Sequence, residues 1–597
     1  MLRTEGVMVD YGVRFLSTEA HLYEVSMVVP LAAAGELTLR MPAWVPGSYM
    51  IRDFSRHIVT MVAEQGGAPL PLTSIDKHTW RLKAPKAEAV TVTYQVYAFD
   101  VSVRGAFLDQ QRGFFDGAAL FLSWVGQEAQ PCRLSISLPE NLREQGWQVA
   151  TALPALEGKE HVFSARDYAH LIDCPVEMGV LTRLPFEAEG IAHEIVLSGA
   201  HQGDLARLVN DVAKICASQI RFFKGRTPFE RYVFLLHVGQ DIYGGLEHTD
   251  STALLADRLC LPSRAQKGLS DDYVLLLGLF SHEYFHAWNV KSIKPAAFDP
   301  YDLTQEVYTE QLWAFEGITS YYDDLFLLRS GVITETAYLD LVAKNLTRVE
   351  RGSGRTKQTL AESSLSAWHK YYKQNENSPN AIVSYYQKGA LMALGLDLLI
   401  RLRSQNQYAL DDVMRALYAD YEANGRGISE ADWQKMAMKV TGLDLSDYFA
   451  RALYGTDDLP LSELLAQHSV SLTWHATAEQ ERGGYVAQLP VAQAAIVFGA
   501  KYVQNNEGIT LTQVYDGGSA QSAGLSVHDR IIAINGFQAT DFARQWANLR
   551  VGDEVNMHFF RAGVLQQTTV TALAAAKNTA YLQMVAQDCG QWLRERA

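Results

Sequence analysis

The chain has 597 residues, 48% of them hydrophobic and 20% charged, with a formal net charge of -15. At roughly 150 residues per domain, this length predicts three or four domains with sizeable cores. The acidic balance excludes the basic footprint of a protein that binds nucleic acid or an acidic membrane surface, and the ordinary composition excludes long disorder or a low-complexity scaffold.

The first residues, "MLRTEGVMVDYGVRFL", carry no basic segment followed by an apolar core, and no later stretch reaches the ~20 apolar residues that span a bilayer. The expectation is a cytoplasmic protein with no membrane partner. From the start to about Asp173, short alternating segments dominate: "HLYEVSMVVP", "GELTLRMPAW", "RHIVTMVAEQ", "AVTVTYQVYAFDV" and "CRLSISLPE". Period-two alternation broken by Gly, Pro and Asn predicts an antiparallel β-sandwich or curved sheet over 1–185.

After "FEAEGIAHEIVLSG" the pattern becomes mixed, with helical spacing in "DLARLVNDVAKICASQIRFF" and an apolar strand in "RYVFLLHVG". Long helices are predicted over Ser270 to Asn289, Glu310 to Ser330, Ser384 to Ser404 and Asp411 to Asn424. Ser429 with Asp432 three residues on forms a capping-box variant. This mostly helical domain is expected to cover 186–460. The tail, 461–597, reads as a small β-rich module: strand, Gly-rich turn, short helix, strand, NG turn and hairpin. The five cysteines, Cys132, Cys174, Cys216, Cys260 and Cys589, contain no CxxC pair and are read as buried free thiols.

Within "SDDYVLLLGLFSHEYFHAWNV", Ser270 is the predicted helix cap, with Asp271 and Asp272 in the first turn and Val274, Leu275, Leu279 and Phe280 as the apolar face. His282 and His286 then project from one face a turn apart, where two imidazoles can chelate one zinc ion, and Glu283 is available as general base. The spacing also permits two hydrogen-bonded core histidines. Zinc needs a third protein ligand. Glu316, set in the apolar, aromatic stretch "EQLWAFEGITSYYDDL", is a carboxylate that needs a cationic partner, and Asp323 lies two helical turns on, where it could orient a ligating histidine.

HExxH followed by a glutamate in a WxxEG context resembles the gluzincin metallopeptidases, the group that includes the aminopeptidase N family. "HEYFHAWNVKSIKP", "LWAFEGITSYY" and "MPAWVPGSYMIRDFSRHI" resemble a narrower family, the glycyl aminopeptidases with a C-terminal PDZ domain, and the resemblance covers nearly the whole chain in the expected order. It implies a multidomain α+β protein: an N-terminal antiparallel β domain, a thermolysin-like, mostly helical catalytic domain and a C-terminal PDZ domain.

It further implies His282, His286 and Glu316 as ligands of one zinc ion and Glu283 as catalytic base. "YGGLEH" is similar to the GxMEN exopeptidase motif, which places Glu247 on the substrate's α-amino group and lets Gly244 and Gly245 admit the peptide close to the backbone. Leu246 and His248 depart from that motif. "SYYQKGALMALGL" resembles the segment whose tyrosine hydrogen-bonds the tetrahedral intermediate; Tyr386 aligns with it, and Tyr385 is its rival. His237 and His248 are read as structural or substrate-lining.

The tail resembles a PDZ domain with Phe498, Gly499 and Ala500 at the carboxylate-binding loop and His528 where a glycine is usual. Its partner would be a peptide or protein C-terminus, with a structural or oligomerising role as the alternative. The leading expectation is a zinc aminopeptidase acting on peptides, with preference for N-terminal Gly or Ala. A zinc endopeptidase that uses the PDZ module to recruit protein tails is the alternative, and a catalytically silent peptide-binding scaffold is the reading from another class.

Overall fold

The computed structural model describes residues 8–491, 495–585 and 592–593. The chain divides into two compact units, Met1–Val307 with Asn424–Gly427, and Tyr308–Ala423 with Ile428–Ala597.

The first unit begins with a seven-stranded sheet, ordered Val162–Ala165, Cys132–Ser137, Val9–Ser17, Leu22–Val29, Val90–Tyr97, Ile58–Gln65 and Ala68–Leu70. Strand Leu22–Val29 alternates buried and half-buried residues along its whole length, as the alternating sequence predicts. One pairing differs from the all-antiparallel expectation: Cys132–Ser137 runs parallel to Val9–Ser17. The chain returns to the start strand only after four other strands of the same sheet, a complete four-stranded sheet and the first two strands of a third, and such a long crossover permits a parallel register that a hairpin forbids. The core of these sheets continues through Leu246, Ala253 and Leu255, so the β domain and the next sheet share one apolar interior.

That next sheet has five strands in the order Thr182–Ala188, Ile191–Ser198, Arg231–Gly239, Ser251–Asp257 and Gly244–Glu247. Arg231–Gly239 has parallel neighbours on both sides, which explains its nearly continuous apolar run. "GGLE" forms the antiparallel edge strand. The helix Leu205–Phe222 is capped by Asp204 and packs beside Asp271–Phe285, where Gln219 donates to the Ser281 carbonyl (2.9 Å) and hydroxyl (3.0 Å).

In the second unit, Ile318–Arg329, Gln387–Arg403 and Leu410–Asn424 surround buried ion pairs, Arg401 to Asp397 at 2.9 Å and Arg329 to Asp411 at 3.2 Å. Tyr321 and Tyr322 donate to the same two aspartates, so each buried charge has a second partner. Ser429 and Asp432 form the expected capping box. The tail module contains a sheet ordered Ala500–Asn505, Gly508–Val514, Arg530–Ile534, Glu554–Arg561 and Val564–Thr571, with its own apolar core. Asn535 and Gly536 both adopt positive φ, 50° and 79°, as a two-residue hairpin turn requires. His528 takes the left-handed conformation (φ 71°) that a glycine would adopt more easily.

Cys132, Cys174, Cys216 and Cys260 are buried free thiols as expected, and Cys589 lies outside the described residues. Among the described residues no helix is long and apolar enough to cross a membrane.

Candidate active site

Ser270 caps the helix Asp271–Phe285 through the Tyr273 amide at 3.2 Å, as predicted. Leu279 and Phe280 are buried as expected but Leu275 is 50% exposed, and the inward stripe is Tyr273, Leu276, Leu277, Phe280 and Tyr284. These five follow the three-and-four spacing that meets both the sheet and the neighbouring helix, and Leu275 falls between them. The helix ends at Phe285 rather than Asn289, because the Lys291 amide closes back onto the His286 carbonyl (3.0 Å) and Val290 has φ 121°. Trp288 stacks on Phe223 at 4.9 Å and donates to the Arg226 carbonyl at 2.9 Å, which pins this turn.

The rings of His282 and His286 lie 4.7 Å apart, nearly perpendicular. His286 Nδ1 is 2.8 Å from the Asn289 carbonyl. A carbonyl only accepts, so Nδ1 carries the proton and Nε2 keeps its lone pair, the tautomer a metal ligand needs. Ligand atoms of Glu247, Glu283 and His286 lie within 4.8 Å of one another. His282 and His286 supply imidazoles of the kind a divalent zinc ion takes, with the carboxylates of Glu247 and Glu283 beside His286.

Two glycines give the carboxylates room. A β-carbon on Gly245 would stand 2.0 Å from Glu283 Oε1, and one on Gly47 would stand 2.4 Å from Glu247 Oε1. Gly47, with φ 90°, belongs to the loop "WVPGSY" of the β domain, and it is a site residue that spacing alone does not reveal. Gly244 approaches Arg104, whose guanidinium donates to the Gly245 carbonyl at 2.8 Å and holds the edge strand from the β-domain side.

Asp173 was also missed. Its carboxylate receives Lys291 Nζ (2.6 Å) and the Thr249 hydroxyl (2.6 Å) and lies 3.2 Å from His248 Nδ1. It thereby ties the residues just after Glu247 to those just after the HExxH helix. Burial opposes its charge, yet Lys291 and His248 hold it well below the usual carboxylate range. His248 Nε2 also lies 3.9 Å from Asp116, whose carboxyl is pushed up to about 6 by burial. His237 pairs with the Ser198 hydroxyl at 2.8 Å and is pushed down to about 3 by burial, which suits a structural role.

In the second unit, Glu316 is buried in a π-helical turn, Trp313–Gly317, that interrupts the single helix predicted over 310–330. Close backbone packing accompanies the wider turn: a β-carbon on Gly317 would stand 2.6 Å from Gly389 Cα and 2.7 Å from the Tyr385 carbonyl. Asp323 lies half-buried in the following helix, where its carboxylate accepts from the Asp324 amide at 2.5 Å. Tyr386 immediately precedes the helix Gln387–Arg403 and stacks on Tyr371 (5.6 Å) and Tyr385 (4.7 Å). Burial, reinforced by the negative charge of Glu316, pushes its phenol well above the ordinary range, so it stays protonated and able to donate. Tyr385 is completely buried in the stack. Tyr371, which the spacing did not single out, is raised by burial and by the same glutamate.

A buried glutamate between two histidines on one helix, faced by a second glutamate on a sheet edge, defines the class of HExxH metallopeptidases. Family models match in the expected order: the peptidase M61 N-terminal domain over residues 10–180, M61 glycyl aminopeptidase over 275–392 and a PDZ domain over 492–555. A crystal structure described as an aminopeptidase N family protein from Idiomarina loihiensis is 42% identical, covers 98% of this chain and 100% of its own, and superposes with a TM-score of 0.94. The chain belongs to the M61 glycyl aminopeptidase family and is a zinc metallopeptidase. An M1 zinc metallopeptidase from Deinococcus radiodurans, bound to a Tyr-Ser-Ala substrate, is 12% identical over 76% of this chain and 95% of its own, with a TM-score of 0.48. No curated protein sequence matches the chain.

Proposed function

We propose that the protein is a zinc aminopeptidase that releases N-terminal residues, with Gly or Ala preferred, from peptides. The observation that carries this reading is the meeting of Glu247, Glu283 and His286 within 4.8 Å, which sets a second carboxylate beside the HExxH pair. His282, His286 and Glu316 would hold one zinc ion, with Asp323 orienting a histidine. The tautomer of His286 and the burial of Glu316 in an apolar turn support that assignment.

When bound, zinc supplies Lewis acidity toward water and the scissile carbonyl. Glu283 takes the proton of the attacking water at its carboxylate and returns it to the leaving amine. Glu247 accepts the charged α-amino group, so the chain is cut one residue from its start, and Gly244 and Gly245 let the peptide run close to the edge strand. Tyr386 donates its phenolic proton in a hydrogen bond to the developing oxyanion. The preference for a small first residue rests on the family match.

The test compares glycyl and alanyl p-nitroanilides with their N-acetylated forms. Free-amine substrates are expected to be cut and acetylated ones spared. Equal cleavage of both would replace the aminopeptidase reading with an endopeptidase one.

A further inference from the structure

The PDZ carboxylate-binding loop is already engaged within the chain. Gly499, in the loop Phe498, Gly499 and Ala500, has φ 76° and lies against Gly518, where a β-carbon would stand 2.5 Å from Gly518 Cα. The close packing fixes the direction of its amide, and that amide donates to Glu479 Oε1 at 2.5 Å. A PDZ domain ordinarily uses such amides for the terminal carboxylate of an added peptide strand.

The surroundings of Glu479 are built rather than incidental. Arg351, at the end of helix Glu335–Arg351, donates to the Glu479 carbonyl (2.9 Å) and to Thr579 Oγ1 (2.8 Å), and so tethers the segment around Glu479 from the other side. Burial raises the Glu479 carboxyl, while the Gly499 amide and Arg351 oppose the rise. Tyr515 and Tyr502 both feel its charge. The same face of the domain is docked to the helical region through Asn380, which donates to the Val514 carbonyl at 2.8 Å and accepts from the Asp516 amide at 3.0 Å. Lys357 adds a contact to Asp516 at 2.5 Å.

Among the described residues, edge strand Ala500–Asn505 has a single strand neighbour, so its outer side is the one a peptide would extend. We infer that this groove's resident ligand is the chain's own Glu479, which occupies the carboxylate subsite and closes the domain to foreign C-termini. The PDZ domain therefore serves as an internal clamp on the end of helix Glu335–Arg351. The inference is independent of the peptidase reading.

The test uses the full chain and an N-terminally fluorescein-labelled hexapeptide ending in Ala-Val, as free acid and as C-terminal amide. Wild-type protein is expected not to distinguish the two. Glu479→Gln leaves the Gly499 amide a neutral acceptor in place of a charged one and Glu479→Ala removes the acceptor, so the peptide segment containing Gly499 should exchange its amide hydrogens faster in both, by at least ~10-fold in Glu479→Ala. Glu479→Ala serves as a second variant. The inference is overturned if wild-type protein binds the free acid at least ~10-fold more tightly than the amide, a result that needs no variant to fold. It is equally overturned if exchange at Gly499 is the same in wild type and both variants.

Discussion

Gly245 and Glu283 occupy mutually exclusive volumes, since a β-carbon on the glycine would stand 2.0 Å from the carboxylate oxygen. The edge strand thus sets where the proposed base sits. Gly245→Ala must push Glu283 aside, and kcat for glycyl p-nitroanilide is expected to fall at least ~10-fold, while overpacking costs about 1–3 kcal/mol of stability. Steady-state kinetics beside thermal unfolding would show the separation.

Glu283→Gln keeps the shape of the side chain and removes its basicity. Turnover should drop by roughly 10²–10⁴-fold with zinc content unchanged, which metal analysis of the same preparation would check.

Glu247→Gln removes the charge opposite the substrate amine. KM for free-amine substrates should rise about 10- to 100-fold, while the slow rate on N-acetylated substrates stays the same. A parallel fall on both substrates would mean that Glu247 acts only by shaping the strand.

Tyr386→Phe is expected to lower kcat by roughly 10²–10³-fold without loss of zinc. Tyr385→Phe should change kcat little, because Tyr385 is completely buried in the aromatic stack.

Asp116 supplies a pH signature. Its folded carboxyl titrates near 6 against an ordinary value of 3.8, so the folded state holds a proton that the unfolded state has lost. Stability therefore falls as pH rises through that window, by about 3 kcal/mol in all, and is level above it. Asp116→Asn should remove this slope, as urea unfolding at several pH values would show.

Where a residue acts through local geometry, its place was legible from the sequence. Ser270 capped its helix, His282 and His286 shared a face, and the alternation of Leu22–Val29 gave its strand because periodicity and capping are short-range. What stayed hidden depends on long-range packing. Gly47 and Asp173 come from the β domain and reach the site only through the shared core, and no spacing links them to Glu247 or Lys291. The π turn around Glu316 was also invisible, since it accompanies the close approach of Gly317 and Gly389, which lie far apart in the chain.

Zinc titration of metal-depleted full-length protein, followed by glycyl p-nitroanilide hydrolysis, tests the central claim most directly. Activity should vanish on chelation and return to a plateau at one equivalent of zinc. Activity that survives metal removal, or a protein that binds no zinc, would contradict the assignment of His282, His286 and Glu316.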